Sequence, residues 1–181
     1  MGFIRYPDSE DVAKSVISVL QAYLPGALAD IEAYRDAEDT DTFGSPIHLD
    51  PPQARNYYYG GSNLVAPPFI IVDVLKTAPR GNRAVEPFLP TPETHTLAIE
   101  AYLTDSLDQK VSLKITRFGS AIKRILQEHS RLEGPEGRWL VEAGWVSEAM
   151  YGRGASKKDG SLYRFVSIEA TFETLATIKE F

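Results

Sequence analysis

The chain contains no cysteine, which excludes disulfides, thiolate metal ligands and cysteine nucleophiles. A cytoplasmic or particle-assembled protein fits that absence. Histidine is scarce as well: His48, His95 and His129 are the only three, and no two stand at His-x-His or Glu-x-x-His spacing. His48 and Asp50 come nearest to a metal pair, but further ligands are missing. No apolar run approaches the roughly 18 residues of a membrane span, and the start, MGFIRYPDSED, lacks the apolar core of a signal peptide. No Gly-x-Ser-x-Gly elbow is present. The loop GRGASKKDG (152–160) mixes glycine, serine and lysine, but its spacing is not that of a Walker loop and a strand follows it. Nothing in the sequence marks an enzyme, and no cofactor or metal is expected.

Basic excess is also missing. The formal net charge is −6, and all of it lies in residues 1–60, where ten acids face Arg5, Lys14, Arg35 and Arg55. The remaining 121 residues balance at fifteen acids and fifteen bases. Such a chain is not a general nucleic-acid binder, which would present a basic face. An acidic third serves solubility, a basic partner, or a channel that repels phosphate.

What is present reads as one domain of 181 residues, in three parts: a helical segment at 1–38, a long loop at 40–68 and a ββαββ core at 69–181. Asp8 or Ser9 caps the first helix, whose apolar face is Val12, Val16, Val19, Leu20 and Tyr23. Pro25-Gly26 punctuates it, so a helical hairpin or one kinked helix is expected. The loop carries Tyr57, Tyr58 and Tyr59, which either pack on the domain's own sheet or reach a partner. Phe69–Leu75 is a strand with Asp73 expected in a buried run, and Ile71 is assigned to the core. A projecting loop at 76–94 leads to a strand alternating around Ile99.

The next helix has two faces. Val111, Ile115, Phe118, Ile122, Ile125, Leu126 and His129 form its apolar side. Lys110, Lys114, Arg117, Arg124 and Arg131 form a basic stripe, partly neutralised by Glu128. That stripe is either solvated or meets an acidic surface, such as the helices of a neighbouring copy. Two last strands form a hairpin. Trp139, Val141 and Trp145 share the inward side of the first, and Ile168 and Phe172 that of the second. Arg153, Lys157 and Lys158, at the hairpin tip, make the densest basic loop cluster. The expected fold is α+β: an antiparallel or mixed four-stranded sheet from two hairpins, with the helices packed on it.

This order of elements resembles the tail terminator or tail-completion proteins of tailed bacteriophages and the related neck proteins. The likeness lies in a strand ending Leu103-Thr104-Asp105, followed by a helix with the core Phe-Gly-Ser-Ala-Ile-Lys-Arg-Ile-Leu and by a long final hairpin, and it covers 69–172. The resemblance implies a homohexameric ring in the virion, assembled in the host cytoplasm. Such a ring caps the tail tube, meets the connector or stopper protein, and lets DNA through its lumen without sequence-specific contact. It implies no catalysis and no membrane. Two alternatives stand beside it: a head-completion or stopper protein, and a small ligand-binding domain or enzyme using 40–68 and 152–160.

Overall fold

In a computed structural model, residues 3–5, 7–61, 66–79, 92–104, 108–132, 140–155, 162–174 and 177–179 are described. In chain order the elements are β1 (Phe3–Arg5), α1 (Ser9–Phe43), a 3-10 turn (Ala54–Asn56), β2 (Tyr57–Tyr59), β3 (Phe69–Pro79), β4 (Glu93–Leu103), α2 (Asp108–Glu128), β5 (Val141–Ala155), β6 (Leu162–Thr174) and β7 (Thr177–Lys179).

Asp8 starts α1 through a reciprocal capping box. Its carboxylate accepts from the Asp11 N–H at 2.9 Å, and its own N–H donates to Asp11 at 3.2 Å. The helix then runs on past Pro25, so of the two arrangements expected the hairpin is not formed and the chain makes one helix. A proline costs a helix its N–H donor and crowds the carbonyl four residues back. Here Pro25 is exposed, and buried Leu20, Leu24 and Leu28 tie both sides of it to one core. Packing outweighs the local break. The helix stops at Gly44, whose φ of 71° lets its N–H return to the Thr40 carbonyl. By length and composition α1 could cross a membrane, which corrects the sequence expectation; half of that apolar window is buried inside the fold, as in a core helix.

The sheet has five strands in the order β2-β3-β4-β6-β5, so the fold is α+β with a mixed sheet. Its extra strand is β2, parallel to β3, with Tyr57 opposite Ile70 and Tyr59 opposite Val72. The segment 40–68 is therefore not structureless. Its described residues hold the end of α1, a 3-10 turn and an edge strand, tied down where Gln21 Nε2 donates to the Ala54 carbonyl and Asn56 Nδ2 to that of Pro68. Separately, β1 and β7 pair antiparallel, bringing the two ends of the chain together.

Both helices lie on one face of the five-stranded sheet. Ile70 and Val72, Leu97, Ile99 and Ala101, and Val166, Ile168 and Ala170 point into one core with α1 and α2, all fully buried. Val111, Ile115, Phe118, Ile122 and Ile125 meet them from α2, and Phe172 closes the layer.

Two core assignments are corrected. Ile71 is only partly buried and belongs to the opposite face, with Asp73 exposed beside it. Trp145 is 46% exposed. The register slips between Val141 and Ala143, and each such slip moves the following side chains to the other face. Val141 stays buried while Trp145, opposite Thr171, turns outward. Trp145→Ala is expected to change unfolding free energy in urea by under about 0.5 kcal/mol, as surface substitutions do. A core tryptophan would lose about 3–5 kcal/mol. Trp139 lies outside the described residues.

Gly144 faces Phe172 where α2 ends. A Cβ there would stand 2.6 Å from the Ser130 carbonyl oxygen and 2.6 Å from the Phe172 ring. A backbone oxygen cannot swing aside, so Gly144→Ala should destabilise by about 1–3 kcal/mol in a denaturant titration.

Candidate assembly surfaces

Much of the basic stripe of α2 meets acids within the same chain. Arg117 holds Asp39 of α1 in a two-pronged pair, both N–O distances 2.6 Å, with the side chains 12% and 3% exposed. Those hydrogen bonds hold the Asp39 carboxyl below its usual range. Lys110 lies over the Phe43 ring at 5.6 Å and reaches Ser45 at 3.4 Å. Arg124 meets Asp30 at 3.5 Å and Glu128 at 3.9 Å. Glu32 accepts from the Leu49 N–H, which lowers its pKa most; His48, 2.7 Å away, and Lys114 act in the same direction. The stripe thus clamps α1 to α2. Reversing Lys114 and Arg117 is therefore expected to destabilise the monomer itself, a third outcome beside the solvated face and the neighbouring copy that the sequence left open.

The histidines are likewise absorbed. His48 pairs with Glu32, His129 stacks on Tyr23 at 3.9 Å, and buried His95 bonds Thr77 at 3.0 Å. Among the described residues no group of three His, Asp or Glu is placed to hold a metal ion.

The sheet face turned away from the helices carries no covering element among the described residues, and its side chains stand in rows across the strands. Residues directly opposite one another share a face. One row is aromatic. Tyr58 meets Phe69 edge-on at 6.3 Å, Phe69 stacks on Tyr102 at 4.7 Å, and Tyr102 stacks on Phe165 at 5.6 Å. Tyr102 also meets Tyr163 at 5.5 Å. Phe165 and Tyr163 then lie over Gly152 and Gly154 of edge strand β5, where a Cβ would stand 2.5 and 2.6 Å from their rings. Burial, with the Glu100 carboxylate bonded at 2.6 Å, raises the Tyr102 phenol far above its usual range.

A parallel row runs Asp73, Ala98, Glu169, Glu148, with Glu169 and Glu148 directly opposite each other. Exposed Leu75, Trp145 and Met150 complete the apolar content of the outer strands. The tyrosine run divides. Tyr57 is buried in the core, where burial pushes its phenol up to about 12; Tyr58 joins the aromatic row; Tyr59 is exposed. The domain's own sheet takes two of the three.

On the helix side, a cleft of about 330 Å3 opens between α2 and the hairpin. Ser112, Ile115 and Thr116 line it from the helix, and Tyr151, Gly152, Arg153 and Arg164 from the strands. Arg153 stands directly opposite Arg164. Of the predicted hairpin cluster, Arg153 is exposed on β5, which extends to Ala155 where a loop is expected; Lys157 and Lys158 lie outside the described residues. Arg164, Phe165 and Tyr102 are absent from the sequence-derived site. Tyr102 and Phe165 are visible in retrospect as bulky residues at every second position of strands whose other side is aliphatic, and Arg164 as the one basic residue on the aliphatic side of β6.

No family model matches this sequence, and no curated protein matches it. Among solved structures the chain is similar to a component of the virion of a native gene transfer agent particle, at 10% identity and a TM-score of 0.37, over 67% of this chain and 81% of the other.

Proposed function

We propose that the chain is a structural protein of a phage-like virion, in which copies form a ring that caps the tail tube, the role of a tail terminator. The observation that supports this reading most is the bare sheet face. Among the described residues exposed Trp145 and Met150 share the outer face with the aromatic row, and apolar surface of this kind marks interfaces. The element order that resembles the tail-completion family adds to it. In this reading the partners are further copies of the chain, the tail tube protein and the connector or stopper, and DNA passes through the lumen without being read. The net charge of −6 suits such passage, since like charge keeps the phosphates from sticking.

The test is to add purified chain to tail tubes assembled without it and to image them by negative stain. Capped tube ends are expected. Tubes that stay bare while the protein decorates heads would move it to the head-completion or stopper position, and binding to neither would refute a neck role.

A further inference from the structure

We propose that the arginine cleft receives carboxylates from the outer sheet face of a second copy, and that this contact joins one copy to the next, head to tail. The inference rests on the ring reading and adds the two surfaces that would build it.

The final hairpin carries two like-charge pairs. Arg153 and Arg164 are directly opposite on the side facing α2, and Glu148 and Glu169 are directly opposite on the bare side. Like charges placed opposite on neighbouring strands destabilise a sheet. Each pair supplies what the other needs, but the two lie on opposite faces of one hairpin and cannot meet within a copy. They can meet between copies. A guanidinium fork matches a carboxylate, and its five donors let an arginine that already has one partner serve a second acceptor.

The cleft around the arginines fits this occupant. Among the described residues no acidic side chain lines it, and it adds the hydroxyls of Ser112, Thr116 and Tyr151 to the two guanidinium groups. Its volume of about 330 Å3 exceeds what an acidic side chain needs and leaves room for the strand edge that carries it. Two different patches that complement one another make a heterologous contact. Such contacts close into rings when the rotation permits, whereas a self-complementary patch stops at a dimer.

The test uses Arg153→Glu, Glu148→Lys and the unaltered chain, each followed by native mass spectrometry and sedimentation, with circular dichroism to check folding. Both substituted residues are exposed. Each variant alone should lose self-association by on the order of a hundredfold, as removal of one member of a close interfacial charge pair does. An equal mixture of the two should assemble again, because the reversed charges then meet each other and the unreversed surfaces meet as before. If Arg153→Glu misfolds, Arg153→Gln takes its place with the same readout.

A wild-type chain that assembles while Arg153→Glu assembles equally well would overturn the contact and leave the ring standing. So would two defective variants that fail to restore each other. Loss in Arg153→Glu of a melting shift produced by inorganic phosphate, with assembly intact, would reassign the cleft to small anions. A wild-type chain that stays monomeric would refute the ring reading itself.

Discussion

Arg117→Ala should be among the most damaging single substitutions in this protein, costing about 3–5 kcal/mol of unfolding free energy at neutral pH. The reason is what it leaves behind. Asp39 is 2% exposed, and its two oxygens take the two prongs of Arg117 at 2.6 Å. Without the guanidinium the buried carboxylate keeps only the Ile47 N–H and the weaker pull of Arg35. The exposed Arg124–Asp30 pair, which joins the same two helices, makes the comparison, because such pairs contribute only about 0–1 kcal/mol.

The Asp39 carboxyl is held below the ordinary range of an aspartate in the folded chain, chiefly by the Arg117 hydrogen bonds. A depressed folded pKa adds stability above the unfolded pKa and loses it as pH falls through the folded one. The gap between wild type and Arg117→Ala should therefore be full at pH 7 and narrow below about pH 4. Replacing both partners with apolar residues, Asp39→Leu with Arg117→Met, should recover most of the loss, since neither charge then needs a partner. Urea titrations of the three proteins at two pH values measure all of this. A single-mutant cost under about 1 kcal/mol would mean that the pair behaves as a solvated surface bridge.

Phe118→Ala should cost a similar amount, about 3–5 kcal/mol, through a different mechanism. Phe118 is 1% exposed and sits on α2 among Ile115, Ile122, Ile168 and Phe172, between helix and sheet. Truncation loses the transfer energy of the ring and leaves a void that a close-packed interior fills only in part. The loss should not depend on pH, which separates it from Arg117→Ala. For a chain of this size each kcal/mol moves the melting temperature by about 2–4 °C, so a drop of roughly 6–20 °C is expected in calorimetry. A shift of a degree or two would show that the core repacks around the gap.

The two substitutions test opposite sides of α2, the helix whose two faces stood out first in the sequence. Its apolar side was legible because a helical period fixes which residues point inward, whatever they meet. Its basic side was visible as a stripe, but periodicity cannot say whose acids will face it. Asp39 lies 78 residues from Arg117 in sequence, and only the fold of α1 onto α2 brings them together. The sheet was legible wherever alternation ran uninterrupted, as from Leu97 to Leu103. It misled at Trp145 because one extra residue near Glu142 inverts the alternation and leaves no mark of its own in the sequence. Strand β2 was hidden for another reason: three residues are too few to show a period, and their pairing with β3 is a tertiary fact.

The candidate surfaces follow the same division. Arg153 was singled out because basic residues cluster near it, whereas Arg164, directly opposite, sat unnoticed inside a strand pattern. The aromatic row Tyr58, Phe69, Tyr102, Phe165 is scattered over four strands and becomes one feature only when the register aligns it. Cross-strand rows cannot be seen in one dimension.

The central claim is that this chain makes a ring by contact with its own copies. Native mass spectrometry of the purified protein over a range of concentrations, followed by imaging of the largest species, tests it most directly. The account predicts a closed oligomer, with the hexamer as the expected species and a central opening in the images. A chain that remains strictly monomeric at every concentration, with or without tail tubes, would contradict it.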